Sequence, residues 1–143
     1  EKWVTMEIKR KNIPKKDYIK SLKKLGFKII STVPPSKNKS ISLEKFKIEK
    51  KMIIAFGNEE KGLSREILEE SDSLLSISMD GFNESYNISV SCAIVMNQLI
   101  SEAKRNKKLT YLSNSEKTKL KFDWYVKSLK NPSKVIKNLG KSK

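Results

Sequence analysis

The chain has 143 residues, of which 37% are apolar and 33% charged, a composition that suits one globular domain with a modest core and excludes collagen-like, mucin-like and wholly disordered proteins. It contains no His, so it cannot by itself supply a Ser-His-Asp or Cys-His arrangement or an imidazole-based zinc site. Its net charge of +15 favours a polyanionic partner, and its single cysteine, Cys92, cannot form an internal disulfide. We therefore expect a cytoplasmic protein without a metal site or a membrane span.

A helix and a strand are the first elements predicted along the chain. Pro14 can start a helix in which apolar side chains recur every three or four residues, and Gly26 can end it. Residues 27–33 (FKIISTV) are typical of a strand that stops at a Pro-Pro pair. A polar loop rich in Ser and Lys then runs to about Ser42.

The middle of the chain alternates strands and helices. Residues 52–56 (MIIAF) are continuously apolar, which is typical of a parallel strand buried on both faces. Ser64 can cap a short helix that runs to Glu70, and residues 74–78 predict a third strand. Residues 88–104 predict a long helix with an apolar stripe, which only Asn97 interrupts. The positions of this stripe are Val90, Ala93, Ile94, Asn97 and Ile100. This alternation indicates an α/β domain whose sheet is mainly parallel.

The end of the chain is helical and basic. Ser115 can cap a further helix, which the Asn-Pro pair at Pro132 ends. We expect a domain over residues 1–104 followed by a basic helical tail over residues 105–143.

The basic residues lie in the two flanks of the chain. The net charge is +10 for residues 1–50, −6 for residues 51–103 and +11 for residues 104–143. Charge that could neutralise phosphates therefore lies outside the middle segment, and we interpret the flanks as surfaces for nucleic acid. The alternative is that a Lys-rich surface serves only solubility.

A loop with two glycines follows the second predicted strand. Gly57 and Gly62 have the spacing of a phosphate-binding loop, but Leu63 stands where that motif has its Lys. Glu59 and Glu60 would also repel a nucleotide triphosphate. A cationic ligand such as a sulfonium, or a hydrogen-bonding role for the two carboxylates, suits this loop better.

A second polar stretch begins at Asp80 and leads directly into the long helix. Helix capping alone would explain its side chains, because Ser85, Asn87 or Ser89 would each make a good first residue. Taken together, however, residues 53–64 (IIAFGNEEKGLS) and residues 77–90 (ISMDGFNESYNISV) resemble the second and third motifs of the SpoU/TrmH family. The members of this family are RNA 2′-O-ribose methyltransferases of the SPOUT superfamily.

The resemblance implies a fold, a cofactor and a set of site residues. The fold would be a Rossmann-like α/β domain with a C-terminal deep trefoil knot, whose loops bind S-adenosylmethionine, and a homodimer would build the active site. Glu59, Ser85 and Asn87 match the polar residues that fix the loops and position the ribose. The third motif and the basic tail are most similar to the branch that methylates a guanosine in the tRNA D-loop. The residues that match the family's cofactor contacts are Thr32, Gly57, Ile77, Met79 and Tyr86.

The family's first motif has no match in this sequence. It carries the Arg that is given the role of activating the 2′-hydroxyl, whereas Arg10, Arg65 and Arg105 stand in other contexts. We expect that the N-terminal strands of the fold are truncated, and that this chain alone binds cofactor weakly or not at all and does not methylate RNA. The competing hypothesis is a non-catalytic RNA-binding module or a degenerate family member. The two loop motifs favour the enzyme, because a binding module has no need for them.

Overall fold

The computed structural model describes residues 13–35, 39–79 and 86–129, and its elements fall into two compact units. The larger unit carries four strands, which are β1 (Lys28–Thr32), β2 (Ile41–Ser42), β3 (Met52–Ala55) and β4 (Ser73–Ser76). It also carries three helices, which are α1 (Lys15–Lys24), α2 (Arg65–Glu69) and α3 (Ile88–Arg105). Helix α4 (Asn114–Ser128) belongs to the second unit. None of the described helices is long and apolar enough to cross a bilayer.

The described strands form one parallel sheet in the order β2-β4-β1-β3. Ile30 pairs with Ile54 of β3 on one side of β1, and Thr32 pairs with Leu75 of β4 on the other. The predicted α/β class with a mainly parallel sheet is therefore confirmed. The trefoil knot stays a prediction, because residues 80–85 lie outside the described part of the chain.

Two details of the sheet differ from the sequence prediction. All four residues of β3 are only half-buried, so the expectation that this strand is buried on both faces is wrong. The reason is its position at the edge of the described sheet, where it has one neighbouring strand. The sequence prediction also missed β2, because its two residues follow a loop rich in Ser and Lys.

Helix α1 begins and ends where the sequence predicted. Pro14 is its N-cap, and Gly26 follows the last turn at φ +82°, a backbone conformation that glycine adopts at little cost. The Gly26 N–H donates to the Lys23 carbonyl oxygen at 2.8 Å, which satisfies one of the helix's free carbonyls. Ile19 is the buried side chain of this helix.

The main core lies between the sheet and α3. Ile30, Leu75, Val95 and Leu99 are buried together there, with Leu43 and Phe46. The residues that α3 buries are Val95, Leu99 and Ala103, which follow one another at i, i+4 and i+8. The predicted stripe does not coincide with this buried face, since its members Val90 and Ile100 are 46% and 39% exposed.

Capping side chains differ in detail from the predictions for two helices. Ser64 is the N-cap residue of α2, but its side chain makes no capping hydrogen bond. Ser113, and not the predicted Ser115, caps α4. The Ser113 hydroxyl accepts from the Glu116 N–H, and the Glu116 carboxylate accepts from the Ser113 N–H at 2.8 Å. This reciprocal pair is a capping box, and it selects Ser113 because the Glu stands three residues later.

Asp72, which precedes β4, ties this strand to α1 and β1. The Ile29 N–H donates to Asp72 Oδ2 at 2.8 Å, the Asp72 N–H donates back to the Ile29 carbonyl at 2.8 Å, and Lys23 Nζ lies 3.3 Å from Asp72 Oδ1. Burial raises the pKa of the Asp72 carboxyl, but the Ile29 amide, the hydrogen bond with Lys23 and nearby positive charge outweigh it. The pKa therefore lies below its ordinary value.

Candidate functional site

The carboxyl ends of three adjacent strands meet at one edge of the sheet. Thr32 is the last residue of β1, Gly57 follows β3 by two residues, and Ile77 comes directly after β4. In open parallel sheets, ligands bind outside this edge, where the chain passes from one side of a central strand to the other. A cavity of about 360 Å³ lies here, a size within the usual range for small-molecule sites.

The residues that sequence analysis assigned to the cofactor lie around this one cavity. Thr32, Gly57, Ile77, Met79 and Tyr86 all line it, although they come from three segments far apart in the chain. Their proximity follows from the parallel register, which carries the three strand ends to the same edge.

The predicted polar residues have three different outcomes. Glu59 lines the cavity. Asn87 stands between two of its lining residues, Tyr86 and Ile88, at the start of α3. Ser85 lies outside the described residues, so its role remains a prediction.

The loop from Gly57 to Leu63 forms one wall of the cavity and is held by hydrogen bonds within the loop. The Gly62 N–H donates to the Asn58 carbonyl at 3.0 Å, and the Lys61 N–H donates to Asn58 Oδ1 at 2.6 Å. Gly62 has φ +65°, which favours glycine. A Cβ at Gly57 would meet the Gly62 carbonyl carbon and would lie 2.5 Å from Gly62 Cα and from the Leu63 nitrogen. The chain therefore closes on itself at Gly57, and only glycine fits there.

Asn87 connects this loop to α3. Its Oδ1 accepts from the Ser89 N–H at 2.9 Å, which makes it the N-cap of α3, and its Nδ2 donates to Glu59 Oε1 at 3.5 Å. The capping interpretation of this residue is therefore confirmed, and the same amide also holds the Glu59 carboxylate. The Asn87 side chain thus links the start of α3 to the loop after β3 by hydrogen bonds.

The cavity combines an apolar wall with two carboxylates. The Thr32 hydroxyl donates to the Ala55 carbonyl at 3.0 Å, so it joins β1 to β3 and leaves only its lone pairs for a ligand. Glu59 and Glu60 supply negative charge on the loop side. This arrangement can hold a ligand that has an apolar ring and a positive charge. The apolar wall consists of Val33, Phe56, Leu63, Leu68, Ile77, Met79 and Ile88.

Some lining residues were not predicted as part of a site. Val33, Pro34 and Pro35 follow β1 and line the cavity beside Thr32. Their position directly after a parallel strand was the available signal, since all three sit at the edge where the other loops converge. Within the described ranges, no group of three His, Cys, Asp or Glu side chains could hold a metal ion.

Comparison with known proteins identifies the family. A family model described as the SpoU rRNA Methylase family matches residues 3–97, which is most of the chain and includes the loop after β3 and the start of α3. The chain belongs to the SpoU methylase family. The matched residues include both segments that the sequence predicted as family motifs. These are residues 53–64 and residues 77–90.

Two known proteins are similar to this chain over most of its length. A tRNA (guanosine(18)-2′-O)-methyltransferase from Borreliella burgdorferi is 41% identical over 138 residues, which is 96% of this chain and 60% of the relative. The A. aeolicus TrmH/SpoU tRNA modifying enzyme superposes with a TM-score of 0.64 at 27% identity over 80% of this chain and 58% of its own. This chain therefore spans about three fifths of the length of these relatives.

A more distant structure shares only the fold. The SpoU methyltransferase AviRb from Streptomyces viridochromogenes, solved in complex with AdoMet, superposes with a TM-score of 0.53 at 19% identity, over 62% of this chain and 35% of its own. The matched part of this chain thus has the same fold as that structure.

Proposed function

We propose that this chain forms the cofactor-binding part of an RNA 2′-O-ribose methyltransferase that uses S-adenosylmethionine and acts on tRNA. One observation carries the proposal. Three strand ends bring Thr32, Gly57 and Ile77 to a single cavity that also has two carboxylates on its wall. A methylase family needs a methyl donor, and a cavity at a sheet edge with an apolar wall, two carboxylates and one lysine suits a nucleoside that carries a sulfonium.

The residues around the cavity fit this cofactor by their chemistry. Bound S-adenosylmethionine supplies an electrophilic methyl group on a positively charged sulfur. The apolar side chains, with Met79 and Ile77 among them, would pack against the adenine ring, and Glu59 and Glu60 would favour the positive charge. Gly57 lets the loop close on Gly62 and Leu63, and backbone N–H and C=O groups of this loop would bind the ligand.

The proposed reaction requires two things of the protein, which are placement of the ribose and removal of a proton. A ribose 2′-hydroxyl is a poor nucleophile at neutral pH, so methyl transfer needs in-line placement and removal of the hydroxyl proton. Asn87 and Glu59 would position the ribose, because the hydrogen bond between them fixes the loop relative to α3. These steps need neither an imidazole nor a metal ion.

The choice of tRNA as substrate rests on the relatives and on charge. A relative at 41% identity is named for methylation of guanosine 18 in tRNA, and a D-loop guanosine is the target we propose here. The basic flanks of the sequence would neutralise phosphates of such a substrate. Because tRNA is the proposed substrate, we also propose the cytoplasm as the site of action.

The site assignment can be tested by substitution of Asn87. The complete gene product would be incubated with labelled S-adenosylmethionine and unmodified tRNA, as wild type, Asn87→Ala and Asn106→Ala. Asn106 caps the other end of α3, so it controls for loss of an Asn at a helix end. We expect that Asn87→Ala loses most of the transfer rate and that Asn106→Ala retains it. Equal incorporation by all three proteins would contradict the site assignment, and no incorporation by the wild type would favour the non-catalytic RNA-binding module.

We also propose that the protein acts as a homodimer. Support comes from α3, where the apolar side chains of Val90, Met96 and Ile100 are 39% to 46% exposed. A second copy would cover these side chains. Light scattering after size exclusion should find a dimer for the wild type and a monomer for Ile100→Lys. Leu25→Lys is the control, because Leu25 is 63% exposed and is the C-cap residue of α1, away from α3 in the sequence. A monomeric wild type, or a dimeric Ile100→Lys variant, would contradict this proposal.

A further inference from the structure

A second cavity adjoins the first along the loop from Gly57 to Leu63. It has a volume of about 380 Å³ and shares six lining residues with the first cavity, from Phe56 to Asn58 and from Lys61 to Leu63. Residues that line it alone are Lys15 of α1, Ser64 and Ile67. The loop after β3 is therefore a common wall between two neighbouring cavities.

The two cavities differ in charge. The first has Glu59, Glu60 and Lys61 on its wall, whereas no Asp or Glu stands among the described residues that line the second. Lys15 and Lys61 both line the second cavity, and neither ammonium group has an ion pair or hydrogen bond with the described part of the chain. Two unpaired cations at a cavity without a carboxylate favour an anionic ligand.

A third group at this cavity is also without a partner. The Ser64 hydroxyl oxygen is buried and makes no hydrogen bond within the ranges that the structure describes. Ser64 is the N-cap residue of α2, yet its hydroxyl does not accept a capping hydrogen bond. Its O–H group can therefore donate to an oxygen of a ligand. Such a hydrogen bond would remove the free-energy cost of burying a polar group without a partner.

We propose that this second cavity binds a phosphate group of the RNA backbone next to the ribose that is methylated. This inference rests on the proposed function and names a contact of the same substrate. Every ribose in an RNA strand has a phosphate on each side. A nucleotide whose 2′-oxygen lies at the first cavity would therefore carry a phosphate close to that cavity, and the second cavity adjoins the first along the shared loop. Lys15 and Lys61 would then hold the phosphate as paired cations, which is a sequence-independent contact that sets position.

The experiment measures how tRNA binding by the complete gene product depends on salt. Each phosphate contact contributes about 0.7 to 0.9 to the slope of log affinity against log salt concentration. Lys15→Gln should therefore lower that slope by this amount. A fourfold rise in salt should then weaken wild-type binding about threefold more than it weakens binding by the variant.

A matched control is available on the same helix. Lys24→Gln removes the same charge from an exposed lysine of α1 that lines neither cavity, and we expect it to keep the wild-type slope. A slope for Lys15→Gln equal to that of the wild type, or an equal change in both variants, would overturn the inference. Lys15 does not line the cofactor cavity, so Lys15→Gln should bind S-adenosylhomocysteine as the wild type does.

Two further outcomes separate the possible failures. If the wild type transfers no methyl group, the proposed function fails, but the salt slopes still decide whether the cavity holds an RNA phosphate. If inorganic phosphate binds in a Lys15-dependent manner while the tRNA slopes of wild type and Lys15→Gln are equal, the cavity takes free phosphate and the RNA contact is wrong.

Discussion

The substitution Gly57→Ala tests how closely the loop after β3 is packed. The added Cβ would lie 2.5 Å from Gly62 Cα and from the Leu63 nitrogen, whereas carbon atoms in ordinary contact are about 3.5 to 4.0 Å apart. The opposing atoms belong to the backbone, so the loop itself must move by about 1 Å to relieve the contact. We expect a loss of about 1 to 3 kcal/mol in the free energy of unfolding, as in other overpacked sites.

The same shift should affect function more than stability. The loop is a wall of the proposed cofactor cavity, and a displacement of about 1 Å at a reacting centre can reduce a rate by about 100-fold. We expect a loss of this size in single-turnover methyl transfer, together with weaker binding of S-adenosylhomocysteine by calorimetry.

A glycine outside the cavity provides the control. Gly26→Ala places a side chain at φ +82°, which costs about 1 to 2 kcal/mol, but its Cβ would be 4.0 Å from the nearest atom, Lys51 Cδ. It should therefore lose a similar amount of stability in urea unfolding and keep its affinity for S-adenosylhomocysteine. If Gly57→Ala transfers methyl groups and binds this ligand as well as Gly26→Ala does, the close packing of the loop does not shape the cofactor site.

Three further substitutions test other parts of the structure. Asn87→Ala should lower the stability to urea by about 1 kcal/mol through loss of the α3 cap, and an unchanged midpoint would contradict this role. Leu75→Ala should cost about 2 to 5 kcal/mol by the same measurement, because Leu75 is fully buried between the sheet and α3; a loss below about 1 kcal/mol would show that the core lies elsewhere. The Asp72 carboxyl has a pKa below its ordinary value of 3.8, so its contribution is complete above pH 3.8 and is lost as the pH falls below that value. Asp72→Asn should therefore be less stable than the wild type at neutral pH and lose less stability on acidification, and parallel pH profiles would refute this.

The elements that the sequence predicted correctly carry strong local signals. Residues 27–33 are rich in strand-forming residues and end at Pro34, residues 52–56 are continuously apolar and end at Gly57, and α1 lies between Pro14 and Gly26. Pro and Gly end a helix or strand through their own backbone conformation, so a single sequence is enough to locate these elements. The site residues were predicted in another way, from the resemblance of residues 53–64 and 77–90 to two motifs of the SpoU/TrmH family.

The details that were wrong or missed depend on contacts between distant residues. Strand β2 exists because Ile41 pairs with Leu75, which is more than thirty residues away. Helix α3 has apolar side chains on two faces, so its periodicity does not reveal that Val95, and not Val90, faces the core. Lys15 reaches the second cavity only because the fold brings α1 to the loop after β3.

The central claim is that the cavity at the end of β1, β3 and β4 serves methyl transfer to a ribose of tRNA. The most direct test is mass spectrometry of nucleosides from an unmodified tRNA transcript after incubation of the complete gene product with labelled S-adenosylmethionine. We predict label in 2′-O-methylguanosine, with the methyl group on the ribose fragment. Label on a base fragment, or no labelled nucleoside, would contradict the account.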